Sequence, residues 1–282
     1  MGELVQEAAS PHEKTAGHTG PIRVAVGGAA GTLGVETFRS LSQWEQIELT
    51  LAFDHENVGM NMRDLAGPRA ANVVIEEKIG AALDREPCDV LLDFSHSSAQ
   101  ALQHSMSALK RKVAPITHGC PLSTQDLREL ASACQEFDTP ALVCPLFAIG
   151  AVLMVNHFRT LSKWLVDSEI VDVQNDPRHE PPSNFAKAIA EAISYGWDHR
   201  ETINLHGRVD GNASKKWNDI KIHPVRLKNA KPKTEVIFTA LGESMTVSYD
   251  ADPSAAIAGI KLAVKKVRGL TGVTVGLENL LL

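Results

Sequence analysis

The chain has 282 residues, 44% of them hydrophobic, and a formal net charge of −6 at pH 7, so it is long and apolar enough for one large or two ordinary globular domains. Its acidic balance, without long runs of lysine and arginine, argues against a nucleic-acid partner or an anionic membrane surface, and no apolar run approaches the length of a membrane span. The four cysteines have neither CxxC nor metal-ligand spacing, which predicts a cytoplasmic protein with no metal site.

The first half of the chain alternates short apolar runs with helical patterns. Residues 1–21 are polar, and we interpret them as a disordered leader. From Ile22 to about Phe147 the strand candidates are "IRVAV", "IELTLAF", "NVVI", "DVLLDF", "KVAPI" and "ALVC", separated by segments with helical periodicity. This alternation predicts an α/β domain with a Rossmann-type, doubly wound parallel sheet over residues 22–148 and 253–282.

The pattern changes after this domain. An apolar helix over residues 149–165 is followed by a strand, a helix over about 182–200, and the strand-like runs "DIKIHPVRL", "TEVIFTAL" and "SMTVSYD". A second, α+β domain with an open mixed or antiparallel sheet fits residues 149–252. The terminal "PSAAIAGIKLAVKKV" is helical again, and we expect it to pack back on the first domain.

A glycine-rich segment, "VAVGGAAGTLG", places Gly28, Gly31 and Gly34 between the first strand and a helix. Such a turn lets the backbone approach a pyrophosphate, which the helix N-terminus then holds. The spacing is G-x-x-G-x-x-G, so a turn without a ligand stays an alternative. Asp54 ends the second strand about 20 residues later, where a carboxylate accepts ribose hydroxyls of a dinucleotide. We expect NADH or NADPH as cofactor, with NADH favoured, because Asp54 would repel a 2′-phosphate and His55 follows where an arginine would favour one.

Two further segments, "DFSHSS" and "ITHGC", follow the fourth and fifth strands, at the sheet edge where doubly wound folds bind ligands. Ser95 and Ser97 fit a helix cap equally well, and His118 fits an ordinary loop histidine. The predicted cofactor-binding residues are Gly28, Ala29, Ala30, Gly31, Thr32, Leu33, Gly34, Asp54, His55, Phe94, Ser95, Ile116, Thr117, His118, Gly119, Pro145, Leu146 and Phe147.

The order of these motifs resembles the dihydrodipicolinate reductase family, nicotinamide-dependent reductases of lysine biosynthesis. The resemblance extends from Ile22 to Leu282 and rests on "VAVGGAAGTLG", "DVLLDFSHSSA", "ITHGC", "PLFAIGAVLM", "VDVQNDPRHEPPSNFAKAIAEAI", "HPVRL", "LGESMTV" and "GVTVGLENLLL". It implies that the first domain binds NAD(P)H, and that the second carries the substrate and builds a homotetramer through its sheet. The second domain has too few helices to cover both faces of that sheet, which agrees with a tetramer.

The substrate loop departs from the family's pattern, which is roughly E-x-H-H-x-x-K-x-D-A-P-S-G-T-A. Gln174 and Asn175 replace the two histidines, Arg178 replaces the lysine, and Asn184 and Phe185 replace the Gly-Thr pair. In the family, the first histidine and the lysine are the proposed proton donors, while the second histidine and the Gly-Thr amides hold substrate carboxylates. Gln174 cannot act as an acid near pH 7, and Arg178 keeps a positive charge without releasing a proton.

Three other positions also differ from the family. Leu146 and Ala148 replace the asparagine and serine of an N-F-S motif, and His118 replaces the second threonine of a T-T-G turn. The changes concern one presumed pocket and leave the glycine turn intact.

Three functions remain open. The first is a reductase that transfers hydride from NAD(P)H to a C=N or polarised C=C bond of a different carboxylic acid, with a small-molecule carboxylate as its partner. The second is a genuine dihydrodipicolinate reductase, and the third is a redox-neutral lyase or isomerase, or a non-catalytic protein, that retains the dinucleotide. For the first, the catalytic candidates are Gln174, Arg178 and His118, and the substrate-binding candidates are Asn175, His179, Ser183, Asn184 and Phe185.

Overall fold

The computed structural model describes residues 20–119, 121–165, 167–175, 181–199 and 215–281. It divides into two compact units. Unit 1 comprises the chain up to Ile149 and from Pro253 onward, and unit 2 comprises Gly150–Asp252. The roles predicted for the two domains, dinucleotide binding and substrate binding, stay predictions.

Unit 1 is built on a parallel sheet of seven strands. The strands are β1 (Ile22–Gly27), β2 (Ile47–Phe53), β3 (Ile75–Glu76), β4 (Val90–Asp93), β5 (Ala114–Thr117), β6 (Ala141–Val143) and, after unit 2, β12 (Val273–Val275). The helices are α1 (Thr32–Leu41), α2 (Met62–Ala66), α3 (Ile79–Arg85), α4 (Ser98–Leu109), α5 (Thr124–Phe137) and α8 (Ile257–Lys266). The strand order β12-β6-β5-β4-β1-β2-β3 confirms the predicted doubly wound fold.

The apolar runs of unit 1 become strands because both faces of the sheet are covered. Val24, Ala25 and Val26 are consecutive in β1 and all fully buried, as expected for a central parallel strand. The strand order reverses at β1, which lies between β4 and β2. The carboxyl ends of β1 and β4 therefore border the crevice where this class of fold binds ligands.

Within unit 1, the extent of one predicted strand is wrong, and one strand and the two short helices α2 and α3 were missed. The run "NVVI" predicted a strand over residues 72–75, but β3 contains only Ile75 and Glu76. The preceding residues pair locally instead, because Met62 N–H donates to the Val73 carbonyl and Ile75 N–H donates to the Met60 carbonyl. The missed strand is β12, which pairs in parallel with β6.

Unit 2 contains a mixed sheet of five strands in the order β11-β10-β7-β9-β8. Its strands are β7 (Asp167–Gln174), β8 (Lys215–Trp217), β9 (Ile220–Arg226), β10 (Lys233–Ala240) and β11 (Glu243–Asp250), and its helices are α6, which begins at the unit boundary (Ile149–Leu161), and α7 (Asn184–Asp198). Only the β7–β9 pairing is parallel. An α+β domain with a mixed sheet was the predicted class, and it is confirmed.

One face of the unit 2 sheet packs against helices. Ile170, Val236 and Phe238 are fully buried on this covered face, and the Phe158 ring of α6 lies 5.1 Å from the Phe238 ring, centroid to centroid. On the opposite face, Ile237 remains 38% exposed. Successive side chains along each strand thus alternate between the face that is covered by helices and the face that is exposed, as in other sheets with one covered face.

Candidate active-site residues in the two units

The glycine loop joins β1 to α1 and is shaped by close backbone contacts. Gly28 has a φ of +66°, and a Cβ atom there would lie 3.0 Å from the Phe94 carbonyl oxygen. A Cβ atom on Gly34 would collide with the Gly28 carbonyl and the Ala29 backbone, whereas one on Gly31 would lie 3.3 Å from the Gly28 oxygen. Gly28 and Gly34 are therefore required for the loop's own conformation. Gly31 is the N-cap of α1 and supplies no side-chain cap, so the first-turn N–H groups suit an anion.

Asp54 ties the end of β2 to the glycine loop. Its Oδ2 accepts a 2.9 Å hydrogen bond from the Ala30 N–H, and its Oδ1 accepts one of 3.0 Å from the Glu56 N–H. The Asp54 side chain is only 7% exposed, whereas the neighbouring His55 side chain is 80% exposed, with Nδ1 3.2 Å from Asp54 Oδ1. Asp54 thus supports the loop directly, and its contact with a ribose stays a prediction.

Phe94, His118 and Phe147 form an aromatic cluster at the carboxyl edge of the sheet. The His118 ring stacks on Phe147 with centroids 4.8 Å apart and meets Phe94 edge-on at 5.9 Å. His118 Nδ1 lies 2.9 Å from the Cys144 carbonyl oxygen. A carbonyl only accepts hydrogen bonds, so Nδ1 carries the hydrogen and Nε2 carries the lone pair.

Burial lowers the pKa of His118, the bond to the Cys144 carbonyl opposes that shift, and His96 adds to it. The imidazole is therefore neutral at pH 7 and has no proton at Nε2 to donate. This geometry argues against proton donation by the catalytic candidate His118, and favours a role as a hydrogen-bond acceptor.

Asp93, which the sequence analysis did not single out, organises the turn that follows β4. It is fully buried, and it accepts hydrogen bonds from the Ser95 N–H at 2.9 Å and the Ser95 hydroxyl at 2.6 Å. His104 Nδ1 lies 3.0 Å from its other oxygen, and the His118 N–H donates to its backbone carbonyl. Ser97 caps α4, so the capping alternative holds for Ser97 and not for Ser95.

The remaining predicted cofactor residues lie around the same edge of the sheet. Ala29, Ile116 and Phe147 are buried, as is Thr117, whose hydroxyl oxygen has no partner among the described residues. Their side chains are structural, so a nucleotide would meet mainly backbone here. The others lie in the glycine loop, in the first turn of α1 or in the turns after β5 and β6, and they are Ala30, Thr32, Leu33, Gly119, Pro145 and Leu146.

In unit 2, Asp172 organises the N-terminus of α7. Asp172 is fully buried on β7 and accepts hydrogen bonds from the Ser183 N–H at 2.8 Å and the Ser183 hydroxyl at 2.9 Å. The Ser183 oxygen in turn accepts from the Ala186 N–H and caps α7. Ser183, predicted to bind substrate, therefore already has structural partners.

Gln174 is fixed by the same carboxylate. Its Nε2 donates to Asp172 Oδ1 at 2.9 Å. Because an ionised carboxylate only accepts hydrogen bonds, the amide nitrogen faces Asp172 and the Gln174 Oε1 faces away as an acceptor. Where the family's pattern has the histidine proposed as proton donor, this chain therefore has a fixed hydrogen-bond acceptor.

Arg226 lies beside Asp172 and was also missed. Its Nη1 donates to the Asp172 and Val225 carbonyls at 3.2 Å, and its Nη2 is 3.6 Å from Asp172 Oδ2. The Nε and Nη2 atoms are buried without a hydrogen-bond partner in the described part of the chain. A signal existed in the sequence, since an arginine ends a strand in "HPVRL", but its partner is 54 positions away.

An aromatic pair lies at the N-terminus of α7. The Phe185 and Tyr249 rings are 5.3 Å apart, centroid to centroid. Asn175 and Asn184 are exposed. The candidates Arg178 and His179 lie outside the described residues.

The described residues contain no group of three histidine, cysteine, aspartate or glutamate side chains placed to hold a metal ion. No helix in the described ranges is long and apolar enough to cross a membrane.

Comparison with known proteins assigns the family. The model "Dihydrodipicolinate reductase, N-terminus" matches residues 22–147, and "Dihydrodipicolinate reductase, C-terminus" matches residues 150–281. The 4-hydroxy-tetrahydrodipicolinate reductase of Moorella thermoacetica is 33% identical over 262 residues, covering 92% of this chain and 98% of that protein. The enzyme of the same name from Desulfitobacterium hafniense is 30% identical, with the same two coverages.

Solved structures agree with this assignment. Dipicolinate-bound dihydrodipicolinate reductase from Paenisporosarcina sp. TG-14 aligns with a TM-score of 0.72 and 25% identity, over 92% of this chain and 99% of that one. Amine dehydrogenase from Mycobacterium smegmatis shares only the fold, with a TM-score of 0.60 and 12% identity over 91% of this chain and 95% of that one. The resemblance read from the motifs is confirmed: the chain belongs to the dihydrodipicolinate reductase family of NAD(P)-dependent oxidoreductases.

Proposed function

We propose that the protein is an NAD(P)H-dependent reductase acting on a C=N or polarised C=C bond of a small carboxylic acid other than 4-hydroxy-tetrahydrodipicolinate. The observation that carries this proposal is the fixed amide of Gln174, whose Nε2 donates to the buried Asp172 at 2.9 Å. A fixed amide at the family's acid position cannot deliver a proton, but its Oε1 can accept a hydrogen bond from a substrate N–H.

The aromatic pair Phe185 and Tyr249 supports a change in the shape of the substrate. In the family's pattern, the residue that corresponds to position 185 is a threonine whose amide helps to hold a substrate carboxylate. Here a phenylalanine ring packs 5.3 Å from a tyrosine ring at the same place. An aromatic wall favours a flat, apolar part of a ligand over a second carboxylate.

One carboxylate can still be held by arginine. Arg178 keeps the charge of the family's lysine, and its planar guanidinium suits bidentate binding of a carboxylate. We therefore propose a substrate with one carboxylate, with unit 2 as the substrate-binding unit and unit 1 as the dinucleotide-binding unit. Asn175 and His179 are further candidates for polar contacts.

For the cofactor we propose a preference for NADH over NADPH. Asp54 carries a negative charge at the end of β2, and His55 beside it is 80% exposed, where an arginine would favour a 2′-phosphate. The glycine loop suits the pyrophosphate of either dinucleotide.

The deciding experiment is a steady-state assay of the full chain with NADH and with NADPH against two substrates of one ring size. One is 4-hydroxy-tetrahydrodipicolinate, and the other is 1-piperideine-2-carboxylate, a cyclic imine with a single carboxylate. We expect kcat/KM for the single-carboxylate imine to exceed that for the dicarboxylate by at least tenfold, about 1.4 kcal/mol. The proposal fails if the dicarboxylate is reduced at about 1–1000 per second, as is usual for metabolic enzymes, and the imine is not.

A second candidate, a genuine 4-hydroxy-tetrahydrodipicolinate reductase, is favoured by the near full-length match to the Moorella thermoacetica enzyme at 33% identity. It requires a proton from a residue other than Gln174. The same assay separates the two candidates, because only the second predicts rapid turnover of the dicarboxylate.

We also propose that the protein is a homotetramer built through the uncovered face of the unit 2 sheet. Ile237 on that face is 38% exposed and lies beside Glu169, which accepts hydrogen bonds from Lys221 at 2.9 Å and from His223 at 2.8 Å. Light scattering of the wild type should give the tetramer mass, and Ile237→Glu should reduce it by burying a like charge beside Glu169. A monomeric wild type at low micromolar concentration contradicts the proposal.

A further inference from the structure

Tyr249 shares a face and an end of the unit 2 sheet with Asp172 and Gln174. In the strand register, Tyr249 of β11 is opposite Thr234 of β10, and Thr234 is opposite Asp172 of β7. Residues opposite each other project to the same face, so Tyr249 and Asp172 are on the covered face, two strands or about 10 Å apart. Gln174 lies two residues further along β7 and also projects to this face.

The Tyr249 ring is held between the beginnings of two helices. On one side it packs against Phe185 in the first turn of α7. On the other, a Cβ atom on Gly150 would lie 3.1 Å from Tyr249 Cε2 and 3.6 Å from its hydroxyl oxygen. The glycine at position 150 thus makes room for the ring, and the Tyr249 hydroxyl reaches the first turn of α6.

The hydroxyl proton of Tyr249 is available. Burial raises the pKa of Tyr249, a hydrogen bond with the Ala151 backbone lowers it, and Asp250 raises it. The contact that lowers the pKa is a backbone N–H donating to the phenol oxygen, so it leaves the hydroxyl proton free to be donated. The phenol therefore stays protonated at neutral pH.

The neighbouring polar groups on this face direct their hydrogens elsewhere. Gln174 Nε2 and the Ser183 hydroxyl both donate to Asp172. Arg226 is opposite Gln174 in the register, and its Nε and Nη2 have no partner among the described residues, but an arginine does not release a proton near neutral pH. Tyr249 is therefore the acid among these described side chains.

We propose that Tyr249 is the proton donor of the reduction, an assignment that rests on the proposed function. When the carbon of the substrate's C=N bond receives the hydride, the electron pair of that double bond moves to nitrogen. Nitrogen then forms an N–H bond with the phenol proton as the O–H bond of Tyr249 breaks. The substrate is reduced, NAD(P)H is oxidised, and the tyrosinate is stabilised by the Ala151 N–H until solvent returns the proton.

The test compares Tyr249→Phe with Tyr195→Phe. The chain has only these two tyrosines, and Tyr195 lies far along α7, where it stacks on His199. Tyr249→Phe keeps the ring between Gly150 and Phe185 and removes only the hydroxyl. We expect kcat for 1-piperideine-2-carboxylate to fall by about 100-fold to 10,000-fold, with KM and NADH affinity unchanged. The decrease in kcat/KM at high pH should also disappear in this variant, while Tyr195→Phe should behave as wild type.

A kcat for Tyr249→Phe within tenfold of wild type overturns the assignment. If the wild type reduces none of the tested acids, the proposed function is overturned. The position of Tyr249 is then tested by ligand binding instead of turnover. Picolinate, a flat ring with a single carboxylate, titrated in the presence of NADH should give a tyrosine ultraviolet difference band in wild type and Tyr195→Phe, and none in Tyr249→Phe. Saturable picolinate binding to the wild type without a tyrosine band overturns the placement of Tyr249 at the substrate.

Discussion

The glycine loop of unit 1 and the α7 N-terminus of unit 2 are held in shape by different kinds of contact. The loop is shaped by main-chain contacts, such as that of Gly34 with the Gly28 carbonyl and of Asp54 with the Ala30 N–H. The α7 N-terminus depends on one buried side chain, Asp172, which holds Gln174 and Ser183. Side chains around such a centre can be exchanged while the backbone keeps its course, whereas the main-chain loop tolerates few changes. If the proposed roles are right, the substrate-binding unit can change its specificity while the dinucleotide-binding loop stays the same.

The strongest test of this contrast removes the organising side chain of unit 2. Asp172→Ala leaves the Ser183 N–H without its acceptor and the partly buried Arg226 without its nearest anion. We expect a loss of about 3–5 kcal/mol in the free energy of unfolding, measured by urea denaturation. The matched control is Asp198→Ala, an exposed aspartate at the end of α7 that should cost little. Loss of NADH binding by folded Asp172→Ala would contradict the separation of roles.

The reciprocal test concerns the glycine loop. A methyl group at position 34 would collide with the Gly28 carbonyl and the Ala29 backbone, neither of which is a flexible side chain. We expect Gly34→Ala to weaken NADH binding in calorimetry by about 100-fold, or about 2.7 kcal/mol. Gly269→Ala is the control, because a Cβ atom there meets nothing within 4 Å. Equal NADH affinity in the two variants would mean that the loop does not bind the dinucleotide.

A smaller effect is expected at Asp54, whose side chain contacts the same loop. Wild type should bind NADH at least as tightly as NADPH, and Asp54→Asn should shift the ratio of affinities toward NADPH by about tenfold, or 1.4 kcal/mol, because it removes a charge that repels the 2′-phosphate. Glu56→Gln, which changes an exposed carboxylate two residues away, should shift the ratio less. Tighter NADPH binding by the wild type would refute the assignment of Asp54.

The smallest effect follows from the lowered pKa of His118. The folded state keeps this imidazole neutral, whereas the unfolded chain protonates it below about pH 6.5. The unfolded state then binds more protons, so stability falls as the pH drops from 7 toward 5. We expect the melting temperature of His118→Gln to decrease less over this range than that of wild type. His157→Gln, at an exposed position, should behave as wild type. An identical loss in wild type and His118→Gln would show that burial of this ring does not resist protonation.

The sequence revealed elements with strong periodicity and failed where distant residues decide the structure. The strand runs of unit 1 and the mixed sheet of unit 2 were predictable from their apolar patterns. The three-residue strands β8 and β12 were missed because a run that short has no period to detect, whereas the equally short β6 lies in the apolar run "ALVC". Asp93 and Asp172 were missed as organisers because each is a polar residue in a buried strand, and its partners come from other elements. The aromatic neighbours Phe185 and Tyr249 are 64 positions apart, so only the register of the unit 2 sheet brings them into one picture.

The placement of β12 also bears on how the chain is made. β12 pairs with β6 at one end of the unit 1 sheet, yet it follows all of unit 2 in the chain. On the ribosome, all of unit 2 is therefore synthesised while β6 still presents an unpaired edge. Nascent chains that pause between unit 2 and β12 carry this open strand, which is the kind of edge that pairs with another strand and that chaperones shield.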